Sequence, residues 1–147
     1  GGHCIPVDPS YLSFAAENAG IEASFIDLAN EINLEMPSYV ANRIANEVGG
    51  LKGKNVLVAG ISYKANVSDL RESPSLLLMD ALKVLGADVS WHDPLVESYN
   101  SEKSAEIDSY DVAILAVAHD VIDKEKLKTS ANYLFDCTGT IAGVNGL

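Results

Sequence analysis

The stretch Val112-Ala113-Ile114-Leu115-Ala116-Val117 is apolar at every position. An alternating pattern would mark a strand with one wet face. An unbroken run marks a strand covered on both faces, the condition of an inner strand in a parallel sheet. Parallel neighbours need crossovers, so the flanking chain must supply helices, and the pattern does so. Asn55 to Gly60 reads as a first strand and Pro74 to Leu85 as a helix with the stripe Leu78, Ala81, Leu82 and Leu85, stopped by Gly86. Ala87 to His92 reads as a second strand ending at Asp93-Pro94, Val112 to Val117 as a third, and Tyr133 to Asp136 as a fourth. The stretch from Val96 to Asp108 reads as weakly helical, and Asp123 to Lys128 as a small charged helix. The expected fold class is α/β, a Rossmann-like parallel sheet over 51–147, preceded by a long helical segment.

That segment fills residues 1–50. Asp8 is a candidate N-cap, Pro9 suits the first helical position and Gly20 ends a short helix. A second helical pattern runs from Glu22 to Val48 through Phe25, Ala29, Ile32, Met36, Val40, Ile44 and Val48, and ends at Gly49-Gly50. At 1.5 Å per residue it would be about 40 Å long. A helix longer than its own domain joins two bodies or pairs with a copy of itself, so the 22–48 helix is the expected homodimer contact. Pro37 within it predicts a kink.

The formal charge of −11 excludes the basic surface by which phosphate backbones are held, and no nucleic-acid partner is expected. No apolar run approaches the ~20 residues of a membrane span. Cys4 and Cys137 lie far apart, with neither disulfide nor metal-site spacing, so no metal is expected and a reducing cytoplasmic setting is the simplest reading. The chain opens on Gly1-Gly2-His3-Cys4 without a methionine and reads as part of something longer.

Between the first strand and its helix lies a long loop, Gly60-Ile61-Ser62-Tyr63-Lys64-Ala65-Asn66-Val67-Ser68-Asp69-Leu70-Arg71-Glu72-Ser73. Such loops sit at the carboxyl edge of a parallel sheet, where ligands bind, and this one exceeds a usual strand-to-helix connection. It carries Lys64 and Arg71, the latter one of two arginines in an acidic chain, next to the positive start of a helix. Gly60 stands alone, with no G-x-G-x-x-G to draw backbone round a pyrophosphate. The expected ligand is a nucleotide or another phosphorylated molecule held by the loop and its cations.

Two motifs then resemble one family. Gly1-Gly2-His3-Cys4-Ile5-Pro6-Val7-Asp8-Pro9 is similar to the catalytic segment of the UDP-glucose/GDP-mannose dehydrogenases, Gly-Gly-x-Cys with an Asp four residues after the cysteine. The loop is similar to the later element Gly-x-x-(Phe or Tyr)-Lys-x-x-x-x-Asp-x-Arg-Glu-Ser, with each named position present. His92-Asp93-Pro94 and Ala118-His119-Asp120 also resemble family segments. Members begin with an NAD-binding domain, so the resemblance covers the central helical region and the C-terminal UDP-sugar-binding domain, and this chain alone is expected to be inactive.

The resemblance implies oxidation of a sugar C6 alcohol to a carboxylate with two NAD molecules in turn, in polysaccharide biosynthesis. It implies Cys4 as nucleophile, giving a thiohemiacetal and then a thioester, and Asp8 as the acid that positions or activates the hydrolytic water. Tyr63 and Lys64 match substrate-binding positions. Arg71 and Cys4 match cofactor-facing ones, Arg71 reaching the NAD phosphates. Each has a plainer alternative: an inert buried thiol for Cys4, a helix cap for Asp8, a solvated lysine for Lys64, and an ion pair with Asp69 or Glu72 for Arg71. Val7 stands where the family often has a basic residue. His3 in place of serine resembles the enzymes acting on UDP-N-acetylmannosamine or UDP-N-acetylglucosamine. Asp136 is followed by Cys137 and not by the usual basic residue. His92 and His119 lie at strand ends, where lone histidines are more often loop hydrogen-bonders than catalysts, and are left without an assigned role. The competing readings are a UDP-glucose 6-dehydrogenase and a non-catalytic UDP-sugar-binding or dimerisation module.

Overall fold

The computed structural model describes residues 7–147. Its elements are α1 (Asp8–Asn18), α2 (Ser24–Glu47), β1 (Asn55–Ala59), α3 (Pro74–Val84), β2 (Asp88–His92), β3 (Tyr110–Leu115), α4 (Lys124–Thr129), β4 (Ala131–Asp136) and β5 (Asn145–Gly146). The strands form one sheet in the order β2-β1-β3-β4-β5, every pair parallel. No helix among the described residues is long and apolar enough to cross a membrane.

The continuous apolar strands sort their side chains to both faces, as a covered parallel sheet requires. Val56, Val58, Val112, Ile114 and Phe135 join one core with Ile44 of α2 and Leu78 and Leu82 of α3. Leu57, Ala59, Ala113 and Leu115 join a second core with Ile107, Ile122 and Leu127 of α4. Fully burying one such aliphatic side chain is worth about 1.5–3 kcal/mol, so the two cores outweigh any local propensity in deciding the fold.

Two helix starts follow their sequence signals. Ser73 Oγ accepts the Ser75 backbone N–H ahead of Pro74, and Asp123 accepts that of Lys126 at 2.9 Å. Asp8 does not act as an N-cap. Tyr11 N–H reaches Val7 O at 3.2 Å and carries the helix back one residue, so Asp8 becomes the first helical residue and, among the described residues, no side chain caps α1. At the far end of α2, Gly49 (φ +72°) lets the Gly50 N–H bond Ala45 O at 2.7 Å, which satisfies a terminal carbonyl.

The stretch from Val96 to Asp108 is not helical. Tyr99 and Glu102 exchange backbone bonds around Asn100 and Ser101, both left-handed at φ 50° and 66°. Val96 belongs to the first core and Ile107 to the second. The segment therefore passes from one face of the sheet to the other, which a helix lying on one face would prevent. β5 carries no strand signal in Asn145-Gly146; it forms by pairing with Phe135 and Asp136.

α2 has two halves. Val40, Ala41 and Ile44 are buried against the sheet and α3, whereas Phe25, Leu28 and Ile32 lie exposed. Near its end Glu47 accepts hydrogen bonds from Arg43, Asn145 and the Tyr133 hydroxyl, and the Arg43 guanidinium lies 5.3 Å from the centre of the Phe135 ring. These contacts seat the helix end on β4 and β5. Ser13 Oγ donates to Asp27 at 2.6 Å and ties α1 to the outer half of α2.

Candidate functional site

In a sheet ordered 2-1-3-4-5 the chain leaves β1 toward one side and returns to place β3 on the other, so a crevice opens where the two carboxyl ends diverge. Gly60 and the segment Ala116–His119 flank that point. The Gly60 N–H bonds His92 O at 2.8 Å, and Ala116 N–H bonds Ala59 O at 2.9 Å. Gly60 itself has φ +81°, and a Cβ there would lie 2.2 Å from Val117 O. The two strand ends are thus in backbone contact, and Gly60 answers to close approach as well as to its left-handed conformation.

The 60–73 loop rises from this junction with its base sealed. Ser73 Oγ donates to Ile61 O at 2.7 Å, and Tyr63 N–H bonds Asp69 O at 3.0 Å. Beneath it lies Asp93, fully buried at the end of β2. Its Oδ2 accepts from Ile61 N–H (2.9 Å), Ser62 N–H (3.2 Å) and Ser62 Oγ (3.0 Å), while Oδ1 accepts from Leu95 N–H at 3.0 Å. Burial pushes the Asp93 carboxyl up, but the backbone donors Ile61 and Leu95, with the His119 ring and Ser62, outweigh it and hold the group below its ordinary value.

His119, also fully buried, has Nε2 at 3.0 Å from Asp93 Oδ2 and Nδ1 at 2.8 Å from the Asn66 backbone nitrogen. Asn66, left-handed at φ 64°, then exchanges two 2.9 Å bonds with Asp120, Nδ2 to Oδ2 and Oδ1 from the Asp120 N–H. Loop and β3 end are therefore tied together through side chains from three segments. His119, left without a role from sequence, hydrogen-bonds the loop at Asn66. Its contacts with Asp93 and Asn66, distant in sequence, carry no local signal.

Of the expected binding residues, Tyr63 is half-buried and Lys64 exposed on the same loop. Arg71 forms the ion pair that was its plainer reading: Nε lies 3.0 Å from both Asp69 carboxylate oxygens and Nη2 lies 2.6 Å from Oδ2, with the side chain 70% exposed. Tyr63, Lys64 and Arg71 thus share one loop, directly before α3, whose first turn holds no acidic residue. That combination suits an anion. Asp8 is exposed on α1. Cys4 lies outside the described residues.

The other thiol is unsuited to nucleophilic work. Burial first, and then the neighbouring Asp136 charge, push Cys137 up to about 12. It lines an apolar pocket of about 120 Å³ with Met36, Pro37, Val40, Pro74 and Leu78. Burial also pushes Asp136 up, but the Thr138 hydroxyl and the Thr138 and Ile141 N–H groups outweigh it and set its carboxyl below the ordinary value.

The family model for the UDP-binding domain of the UDP-glucose/GDP-mannose dehydrogenase family matches residues 57–142. Among curated relatives, a UDP-N-acetyl-D-mannosamine dehydrogenase of Methanococcus vannielii is 42% identical over 104 residues, covering 69% of this chain and 23% of the relative. Protein CapL of Staphylococcus aureus is 31% identical over 159 aligned residues, covering 100% of this chain and 37% of the relative. The chain therefore spans between about a quarter and two fifths of these relatives' length. Among solved structures, a UDP-glucose dehydrogenase from Pyrobaculum islandicum superposes with a TM-score of 0.80 at 28% identity, over 92% of this chain and 34% of that one.

Proposed function

Because the chain belongs to the UDP-glucose/GDP-mannose dehydrogenase family, we propose that its 60–73 loop and the start of α3 hold the nucleotide-sugar of an NAD-dependent UDP-N-acetylhexosamine 6-dehydrogenase. The observation that carries this reading is the loop itself, anchored at its base at the sheet's switch point, with Lys64 exposed on it and leading into a helix whose first turn holds no acidic residue. Tyr63 supplies ring area and Lys64 a cation for diphosphate or sugar oxygens. The 42% identity to a UDP-N-acetyl-D-mannosamine dehydrogenase, together with His3, supports the amino sugar. The likeness to a UDP-glucose dehydrogenase at 28% identity supports UDP-glucose as the second reading.

NAD, when bound, supplies the hydride acceptor. The residues of this chain do not fit a complete dinucleotide site: the turn after β1 carries Gly60 alone, without the G-x-G-x-x-G spacing that draws backbone round a pyrophosphate. They fit a contribution. The exposed Arg71 guanidinium, already oriented by Asp69, offers remaining donors to a phosphate. The bulk of the cofactor would rest on a separate NAD-binding domain.

In this reading the Cys4 thiolate adds to the C6 aldehyde left by the first hydride loss. The resulting alkoxide expels the second hydride to leave a thioester, and water aided by Asp8 releases the carboxylate and restores the thiol. Residues 1–50 form the central helical region and 51–147 the UDP-sugar-binding domain of a cytoplasmic enzyme. The exposed spacing of Phe25, Leu28 and Ile32 along α2 supports a homodimer through that helix.

The test is an assay of the protein with its NAD-binding domain attached, against UDP-N-acetylmannosamine, UDP-N-acetylglucosamine and UDP-glucose. Uronate formation from an amino sugar, abolished in Cys4→Ser, is expected. Undiminished acid production by that variant would remove Cys4 from the chemistry, and no turnover of any of the three would leave the non-catalytic module.

A further inference from the structure

Among the bonds that tie the loop assigned to the nucleotide-sugar to the rest of the fold, one runs directly to a buried imidazole. A backbone N–H only donates, so the 2.8 Å contact between Asn66 N and His119 Nδ1 requires a lone pair on Nδ1. The ring proton is therefore on Nε2, where it donates to Asp93 Oδ2 at 3.0 Å. Asp93 in turn takes the N–H groups of Ile61 and Ser62, just before Tyr63 and Lys64. The ring thus touches both sides of the segment that carries those two residues: the Asn66 side directly, and the 61–62 side through Asp93, which the Leu95 N–H also holds. Both His119 and Asp93 are fully buried, so neither touches ligand.

We infer that His119, in its Nε2–H tautomer, is a positioning residue that holds the 61–66 segment in its ligand-binding geometry before the nucleotide arrives. The inference rests on the loop's assignment to the nucleotide-sugar. A loop already in place avoids the ordering cost that a mobile one meets on binding. If loss of the ring lowers the competent population to a tenth, apparent affinity falls about tenfold.

Three variants separate positioning from folding. His119→Ala removes both bonds. His119→Asn keeps an oxygen near the Nδ1 position to accept from Asn66 N–H, and His119→Gln keeps a donor near the Nε2 position for Asp93 while losing that acceptor. UDP affinity by calorimetry and hydrogen exchange at the Asn66 amide are measured on the full chain. Wild type should bind most tightly, Asn next, and Gln and Ala about tenfold more weakly than wild type, with Asn66 protection falling in the same order. The wild-type imidazole nitrogen spectrum should show a protonated Nε2 and a bare Nδ1, a signature independent of any variant's stability.

A proton on Nδ1, a His119→Gln affinity equal to wild type, or faster Asn66 exchange in His119→Ala with unchanged UDP affinity would each overturn the inference. Failure of the wild type to bind UDP would instead strike the loop's assignment, while the exchange and nitrogen data would still decide whether His119 holds the loop.

Discussion

Gly60 meets the Val117 carbonyl with no room for a side chain: a Cβ would stand 2.2 Å from that oxygen and 2.7 Å from Val117 Cβ. The close approach lies where β1 and β3 part, beneath the 60–73 loop, and Gly60 also holds φ +81°. Gly60→Ala is expected to combine steric overlap with backbone strain and to cost about 2–4 kcal/mol. Urea unfolding followed by circular dichroism checks this. A loss under half a kilocalorie would mean the strand ends separate more easily than their contact indicates.

Asp93 is the loop's buried anion. Removing it strands the Ile61 and Ser62 N–H groups and the His119 ring without an acceptor, so Asp93→Ala is expected to cost about 3 kcal/mol or more, and Asp93→Asn less. The folded carboxyl lies below its unfolded value of about 3.9. Its stabilisation is therefore present above that pH and is lost as pH falls through the depressed folded value. Acid titration of stability should fall more steeply for wild type than for Asp93→Asn below about pH 4; parallel curves would contradict this.

The sheet was readable because its strands carry their own signal. The apolar runs at Val56–Ala59 and Val112–Leu115 demand cover on both faces, and Ser73-Pro74 announces a helix whatever surrounds it. The 96–108 stretch misled because its charged residues look helical, whereas the path is set by Val96 and Ile107 being drawn to opposite cores. β5 exists only through its partner. In the candidate site, the sequence marked the loop and its cations but not the Arg71–Asp69 fork as the arrangement adopted, nor the floor made by Asp93 and His119, since those contacts join residues 26 apart in the chain.

Cys137 should be chemically silent while the chain is folded, since burial and Asp136 raise its thiol to about 12. Iodoacetamide at pH 8 is expected to leave Cys137 unmodified in the native protein and to alkylate it in urea, as read by peptide mass spectrometry. The same raised value means that its stabilisation holds below the unfolded thiol's value of about 8.5 and is lost as pH rises through the folded one. Cys137 is half-buried, so rapid native labelling would contradict the raised thiol value.

Phe25 is 84% exposed and Ile32 52% exposed on the outer half of α2. Phe25→Glu together with Ile32→Glu should leave folding within about 0.5 kcal/mol of wild type while converting a dimer to a monomer in sedimentation velocity. Dimers that persist in the double variant would place the contact elsewhere.

Nucleotide binding at the carboxyl edge is tested most directly by titrating UDP into the isotopically labelled chain and following every amide. Saturable shifts confined to residues 61–72 and the first turn of α3, weakened about tenfold by Lys64→Ala, are the expected result. Saturable shifts confined to α1 or to β5, or no saturable binding, would contradict it.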